Sequence, residues 1–160
     1  MQNRSFYVKS YGCQMNIYDS QKITSVLESQ GLKNELDPKS ADSVIFNTCN
    51  IREKAAHKLY SDIGRVNKLG LKKTIAVVGC VAQAENFEIF RKNKSIDIVL
   101  GPQSYHLLPK MLDDLENNFK QINTDFIVNE KFDYLSEQMR PQGVSSMVTI
   151  QEGCDLSLIH

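Results

Sequence analysis

The sequence contains no long apolar run, no excess of charge of either sign and no closely spaced pair of cysteines. No stretch approaches the roughly 20 apolar residues that span a bilayer, and the first residues lack the apolar core of a signal peptide. The 19 acidic and 19 basic residues balance, so the overall charge attracts the chain to neither nucleic acid nor a membrane. We therefore expect a cytoplasmic protein with no membrane partner, in which any contact with RNA is local.

The 160 residues are enough for one domain with a core, and the 41% hydrophobic content is that of an ordinary globular protein. Short apolar runs that read as buried strands alternate with segments of helical periodicity over residues 4–120. The predicted strands are Phe6–Tyr11, Lys33–Leu36, Ser43–Thr48, Thr74–Gly79 and Asp97–Gly101. This alternation predicts an α/β fold, a doubly wound parallel five-stranded sheet in the order 2-1-3-4-5.

The helices between these strands carry recognisable boundary signals. Gly31 can take the left-handed conformation that closes the first helix, and the spacing of Asn50 and Glu53 is that of a capping box. Residues 82–92 read as one helix. Ser104 is the predicted cap of the last helix, which tolerates Pro109 only in its first turn.

Three segments follow from these patterns. Residues 1–120 form the predicted α/β domain, and residues 121–143 have the mixed composition of a linker. Residues 144–160 begin with a fresh strand, Val144–Ile150, that has no following strand to pair with. We therefore expect this last segment to be the start of a second domain.

Three of the four cysteines each follow a predicted buried strand. They are Cys13 in Tyr-Gly-Cys-Gln-Met-Asn, Cys49 in Asn-Thr-Cys-Asn and Cys80 in Val-Gly-Cys-Val-Ala-Gln. In the order 2-1-3-4-5 the three strands are neighbours, so their carboxyl ends meet at one edge of the sheet. Since structural disulfides are rare in the cytoplasm, the pattern favours a metal centre, and three thiolates suit an iron-sulfur cluster with one open iron.

Other interpretations of these residues stay open. Cysteine is often a small buried core residue, and zinc also binds thiolates, although a structural zinc site needs four ligands and commonly a close cysteine pair. The sequence assigns no catalytic residue, because His57, His106 and His160 lie where a solvated or terminal position explains them. A flavodoxin-like redox or binding module is a further alternative, although the chain lacks a glycine-rich phosphate loop of the usual kind.

At the cysteine motifs the chain resembles the radical S-adenosylmethionine methylthiotransferases, and most closely their bacterial tRNA branch (MiaB type). The similar strings cover the amino-terminal domain and include Gly-Pro-Gln at 101–103. The resemblance implies that Cys13, Cys49 and Cys80 hold an auxiliary 4Fe-4S cluster whose open iron carries the sulfur to be inserted. It also implies a second 4Fe-4S cluster that cleaves S-adenosylmethionine, and a tRNA substrate whose isopentenylated adenosine beside the anticodon is methylthiolated.

Cys154 matches the first of three cysteines in the radical motif, but Leu158 stands where the second belongs and the sequence ends at His160. We therefore interpret residues 144–160 as the truncated first strand of a missing radical barrel, with Cys154 a remnant ligand. Two functional interpretations follow. The chain is the cluster-carrying domain of a tRNA methylthiotransferase and is inactive alone, with weak or no tRNA binding, or it is a non-catalytic remnant. The oligomeric state is not predicted.

Overall fold

The computed structural model describes residues 4–12, 14–49, 53–115 and 120–124, without the side chains of residues 53–56. Its strands are β1 (Ser5–Ser10), β2 (Lys33–Asn34), β3 (Ser43–Thr48), β4 (Thr74–Gly79), β5 (Ile98–Leu100) and β6 (Gln121–Asn123). Its helices are α1 (Gln14–Ser29), α2 (Glu53–Asn67), α3 (Cys80–Glu85), α4 (Glu88–Lys92) and α5 (Leu108–Asp114), with a 3-10 turn at Tyr105–Leu107.

All six strands are parallel and lie in the order β2-β1-β3-β4-β5-β6. The doubly wound fold and the predicted order of the first five strands are confirmed. The sheet has six strands and not the predicted five, and the sixth lies within the segment that the sequence predicts to be a linker. It joins the sheet through backbone pairing with β5, placing Ile122 beside Val99.

Apolar side chains on the two faces of the sheet form two cores. On one face, α2, α3 and α4 pack over Val44, Phe46 and Val77. On the other face, α1, the 3-10 turn and α5 pack over Ile45, Ala76 and Val78. The alternation follows from the strand period of two, which sends successive side chains to opposite faces. Every residue of the central strand β3 is consequently buried.

Two predicted helix features differ from the structure. The single helix at 82–92 is interrupted, because Asn86 adopts a positive φ of 49° between α3 and α4. Asparagine tolerates a positive φ better than most residues. Ser104 makes no capping hydrogen bond; its Oγ donates instead to Asn123 Oδ1 at 2.9 Å.

Other boundary signals are borne out. Gly31 follows α1 with a φ of 83°, and Pro109 lies in the first turn of α5, where its missing N–H leaves no bond unmade. The predicted cap at Asn50 and the segment 144–160 lie outside the described residues. In the described ranges, none of the helices combines the length and the apolar character that a bilayer crossing requires.

Candidate metal centre

The carboxyl ends of β1, β3 and β4 lie side by side in the middle of the sheet. Ser10 is paired with Asn47, and Thr48 is paired with Gly79. Beyond the last paired residue of β1, the Tyr11 N–H donates to the carbonyl oxygen of Asn47 at 2.9 Å. The sheet therefore aligns the three turns that carry the predicted ligands.

The turn after β1 packs directly on Cys49. Gly12 has a φ of 117°, and a Cβ atom placed on it would overlap Cys49 Cβ and lie 3.0 Å from Cys49 Sγ. Glycine is required here for both reasons, since other residues rarely adopt this φ and no side chain fits. Cys13, the next residue, lies outside the described residues, but its neighbour Gly12 touches the second predicted ligand.

The turn after β4 packs on the backbone that precedes Cys49. Gly79 has a φ of 92°, and an added Cβ would lie 2.7 Å from the Thr48 carbonyl oxygen and 2.8 Å from Asn47 Oδ1. Cys80 follows as the first residue of α3. The close approach therefore brings the segment bearing Cys80 against the segment bearing Cys49.

The two described thiols have different environments. Cys49 is buried, with 3% of its surface exposed, whereas Cys80 is exposed. Neither is in a disulfide with another described cysteine. An exposed position does not suit the interpretation of Cys80 as a core packing residue.

The described residues alone contain no group of three or more histidine, cysteine, aspartate or glutamate side chains placed to hold a metal ion. Cys13 and Cys154 are outside those residues, so the predicted set is represented by Cys49 and Cys80. Thiolates are the ligands that iron-sulfur clusters use, and the contacts of Gly12 and Gly79 draw all three cysteine turns together. Cys49 and Cys80 therefore supply the thiol chemistry that such a group needs, on backbone segments that lie against each other.

Sequence reasoning missed a layer of buried amides behind these turns. Asn16 and Asn47 are 4% and 0% exposed, and Asn16 Nδ2 donates to the Thr48 carbonyl oxygen at 3.0 Å. Each asparagine lies within one of the cysteine motifs, and Asn47 ends an otherwise apolar run. That polar residue in a buried strand was the signal that could have revealed it.

The buried carboxylate of Asp62 anchors the turn after β1 from the face of the sheet opposite α1. The Tyr11 hydroxyl donates to Asp62 Oδ2 at 2.7 Å, Lys9 Nζ lies 2.8 Å from the same oxygen, and Arg65 donates to Asp62 Oδ1 at 2.6 Å. Burial raises the pKa of Asp62, but hydrogen bonds from Lys9, Tyr11 and Arg65 outweigh it and the net pKa is lowered. Burial and the bond to Asp62 raise the pKa of Tyr11 well above its usual range, so the phenol keeps its donated proton.

The lowered pKa of Asp62 predicts a contribution to stability that acid removes. In the unfolded chain Asp62 takes up its proton near pH 4, above its folded pKa, so between the two values the unfolded state binds more protons and acid favours unfolding. Asp62→Asn should lower the free energy of unfolding at pH 7 by about 2 kcal/mol. Urea unfolding at pH 7 and pH 3 should show a smaller difference between wild type and variant at pH 3.

Asp113→Asn is the matched control, since Asp113 pairs with Arg4 while its own side chain is 72% exposed. Exposed ion pairs contribute little, so this variant should unfold like the wild type at both pH values. An Asp62→Asn deficit that is the same at both pH values would contradict the assigned pKa.

The fold class and the family of the chain can now be stated. Its fold and its strand-end cysteines define a Rossmann-like parallel α/β domain with a candidate thiolate site. The model of the "Uncharacterized protein family UPF0004" matches residues 5–101, more than half of the chain, and the chain belongs to that family.

The chain is also similar to several proteins called tRNA-2-methylthio-N(6)-dimethylallyladenosine synthase. It is 51% identical to that of Rickettsia prowazekii over 96% of this chain and 36% of the relative. It is 46% identical to that of Bartonella tribocorum over 95% of this chain and 35% of the relative, and 47% identical to that of Cereibacter sphaeroides over 95% and 36%. The resemblance to the tRNA branch of the methylthiotransferases is thereby confirmed. The chain spans about a third of the length of these relatives.

Proposed function

We propose that this chain is the cluster-carrying domain of a tRNA methylthiotransferase, in which Cys13, Cys49 and Cys80 hold an auxiliary 4Fe-4S cluster. The observation that carries the proposal is the packing of Gly12 on Cys49 and of Gly79 on Thr48. These contacts lie within the turns that follow β1, β3 and β4, each of which carries a cysteine. When bound, such a cluster supplies an open iron at which the sulfur to be inserted is held.

The chain's own residues prepare this site. Cys49 is buried, which limits the access of water to its sulfur, whereas Cys80 is exposed to solvent. The Tyr11–Asp62 bond fixes the strand end that leads into Gly12. Because Gly12 and Gly79 have no side chains, the turns after β1 and β4 can pack closely against Cys49 and the backbone that precedes it.

The other interpretations account for less. A core role suits Cys49 but not exposed Cys80, and a zinc site needs a fourth ligand that the described residues do not provide. A flavodoxin-like module shares this sheet order, but fold alone does not assign function. The thiolate site therefore carries the proposal.

In this proposal, S-adenosylmethionine cleavage and most of the tRNA binding depend on other parts of a longer protein. The second 4Fe-4S cluster and S-adenosylmethionine bind outside residues 1–120, with Cys154 a ligand of that second cluster. The tRNA binds mainly through those other parts, in the cytoplasm. A net charge of zero gives these 160 residues no general affinity for RNA.

The proposal is tested by exchanging the matching region between relatives. The segment of the Rickettsia prowazekii protein that aligns with this chain is replaced by residues 1–150, and the chimera is produced in a bacterium that lacks its own enzyme. Mass spectrometry of tRNA nucleosides should detect the 2-methylthio derivative of N6-dimethylallyladenosine. The same chimera with Cys80→Ala should yield only the unmodified precursor, because one thiolate of the site is lost.

The unfused 160-residue polypeptide is the second arm. It contains Cys154 but neither of the other two cysteines of the radical motif, so it should produce no 5′-deoxyadenosine from S-adenosylmethionine. A chimera that methylthiolates tRNA equally well with Cys80→Ala would contradict the proposed site. So would a folded, cluster-loaded chimera without activity.

A further inference from the structure

We infer that Asn16 and Asn47 are positioning residues that clamp the three cysteine turns into one preformed site. The inference rests on the proposed function, because it concerns the same thiols. It assigns a role to two buried amides that are not themselves metal ligands. Their hydrogen bonds and close contacts reach a residue next to each of Cys13, Cys49 and Cys80.

Asn16 joins the first turn to the second. Its Nδ2 donates to the Thr48 carbonyl oxygen at 3.0 Å, directly before Cys49, and makes a longer contact of 3.4 Å with Asn47 Oδ1. Its own Oδ1 lies 2.8 Å from where a Cβ on Gly12 would be. The amide therefore occupies the space between the turn that leads to Cys13 and the backbone that leads to Cys49.

Asn47 completes the clamp from the central strand. Its Nδ2 donates to the carbonyl oxygen of Asn16 at 2.8 Å and to Ser20 Oγ at 3.0 Å. Its Oδ1 lies 2.8 Å from where a Cβ on Gly79 would be. Asn47 thus holds the start of α1 and touches the residue before Cys80.

The type of residue at these positions supports a site role. Asparagine is disfavoured in strands, yet Asn47 is fully buried at the end of β3, after Val44, Ile45 and Phe46. Departures of this kind from local sequence preference concentrate at functional sites. An amide offers a donor and an acceptor from one uncharged group, whereas a carboxylate would set an acceptor against the Thr48 carbonyl.

Groups behind a metal site that orient its ligands commonly change metal affinity by about tenfold to a hundredfold when they are altered. The proposed clamp holds the three turns in place before metal binds. Without it, the turns must become ordered when the metal binds, and this cost lowers the metal affinity. A residue that serves only the fold would instead lower thermal stability while the folded protein bound metal normally. Metal affinity of folded protein therefore separates the two roles.

The test uses the full 160-residue chain with Cys154→Ala, so that only the three turn cysteines remain. Reduced protein is titrated anaerobically with cadmium(II) alone, followed by thiolate charge-transfer absorption, at a temperature where circular dichroism shows every variant folded. Asn16→Asp and Asn47→Asp should each weaken cadmium binding by about tenfold or more. Asn123→Asp, which alters an asparagine in β6, three strands along the sheet from β3, that accepts from Ser104, should bind cadmium like the wild type.

Ser20→Ala keeps the inference testable if either aspartate variant fails to fold. It leaves both amides in place and removes one oxygen that accepts from Asn47 Nδ2, so a loss of a few-fold in cadmium affinity is expected. Wild-type affinity in folded Asn16→Asp, Asn47→Asp or Ser20→Ala would overturn the clamp and leave the cluster proposal standing. Failure of the unmodified turns to bind cadmium through Cys13, Cys49 and Cys80 would overturn the proposed function and the clamp with it.

Discussion

A chain with Cys49→Ala will assemble no 4Fe-4S cluster when it is treated anaerobically with iron and sulfide, whereas the unaltered chain will turn brown and bind about one cluster. Cys49 is buried, and Gly12 packs against both its Cβ and its Sγ. Two remaining thiolates cannot replace three. The same loss is expected for Cys13→Ala and Cys80→Ala, and it is measured by visible absorption with iron and sulfide analysis.

Cys154→Ala is the matched control for these variants, because it removes a cysteine that the proposal places outside the auxiliary site. It should keep the cluster at the level of the unaltered chain. Thermal unfolding without iron should show that Cys49→Ala remains folded, since it removes one small side chain. Loss of the cluster in Cys154→Ala together with its retention in Cys80→Ala would contradict the ligand assignment.

Gly12→Ala should produce the second large effect, on folding and on cluster assembly together. The added Cβ overlaps Cys49 Cβ, and the φ of 117° is unfavourable for alanine. Backbone strain and overpacking each contribute about 1–3 kcal/mol, so we expect the free energy of unfolding to fall by about 3 kcal/mol. Cluster yield should fall as well, because Cys49 must move. Urea unfolding and reconstitution with iron and sulfide measure the two effects.

Substitutions of two other glycines distinguish the effect of backbone strain from the effect of steric crowding by the added Cβ. Gly31 has a positive φ of 83° but no atom within 4 Å of an added Cβ, so Gly31→Ala should lose only the strain contribution of about 1–2 kcal/mol. Gly64, within α2, has open space for a Cβ, and Gly64→Ala should stabilise the chain by up to about 1 kcal/mol. Equal destabilisation by Gly12→Ala and Gly31→Ala would mean that the contact with Cys49 carries no energy.

The order of the first five strands could be predicted because strands alternate with helical segments, and 2-1-3-4-5 is a common order for such a doubly wound sheet. β6 could not, since Gln121, Ile122 and Asn123 include one apolar residue and become a strand by pairing with β5. The break between α3 and α4 depends on the backbone of Asn86 rather than on any gap in the apolar pattern. The sequence predicts Ser104 to be a helix cap, but its hydroxyl donates a hydrogen bond to Asn123 Oδ1 instead.

The candidate site, too, is predictable from the sequence only in part. The shared site of Cys13, Cys49 and Cys80 stays a prediction, which rests on the carboxyl ends of parallel strands lying at one edge of a sheet. Asn16 and Asn47 were missed, since a polar side chain in a sequence reads as exposed until its partners are known. Their partners include each other, Ser20 and the Thr48 carbonyl, which are separated along the chain by up to 32 residues.

The central claim is that the turns after β1, β3 and β4 bind one cluster through three thiolates. The most direct measurement is a crystal structure of the anaerobically reconstituted chain, with iron located by its anomalous scattering. We predict one compact iron peak bonded to the Sγ atoms of Cys13, Cys49 and Cys80, with one iron lacking a cysteine ligand. An iron peak bound by Cys154, or a reconstituted chain whose three turn cysteines contact no iron, would contradict the claim.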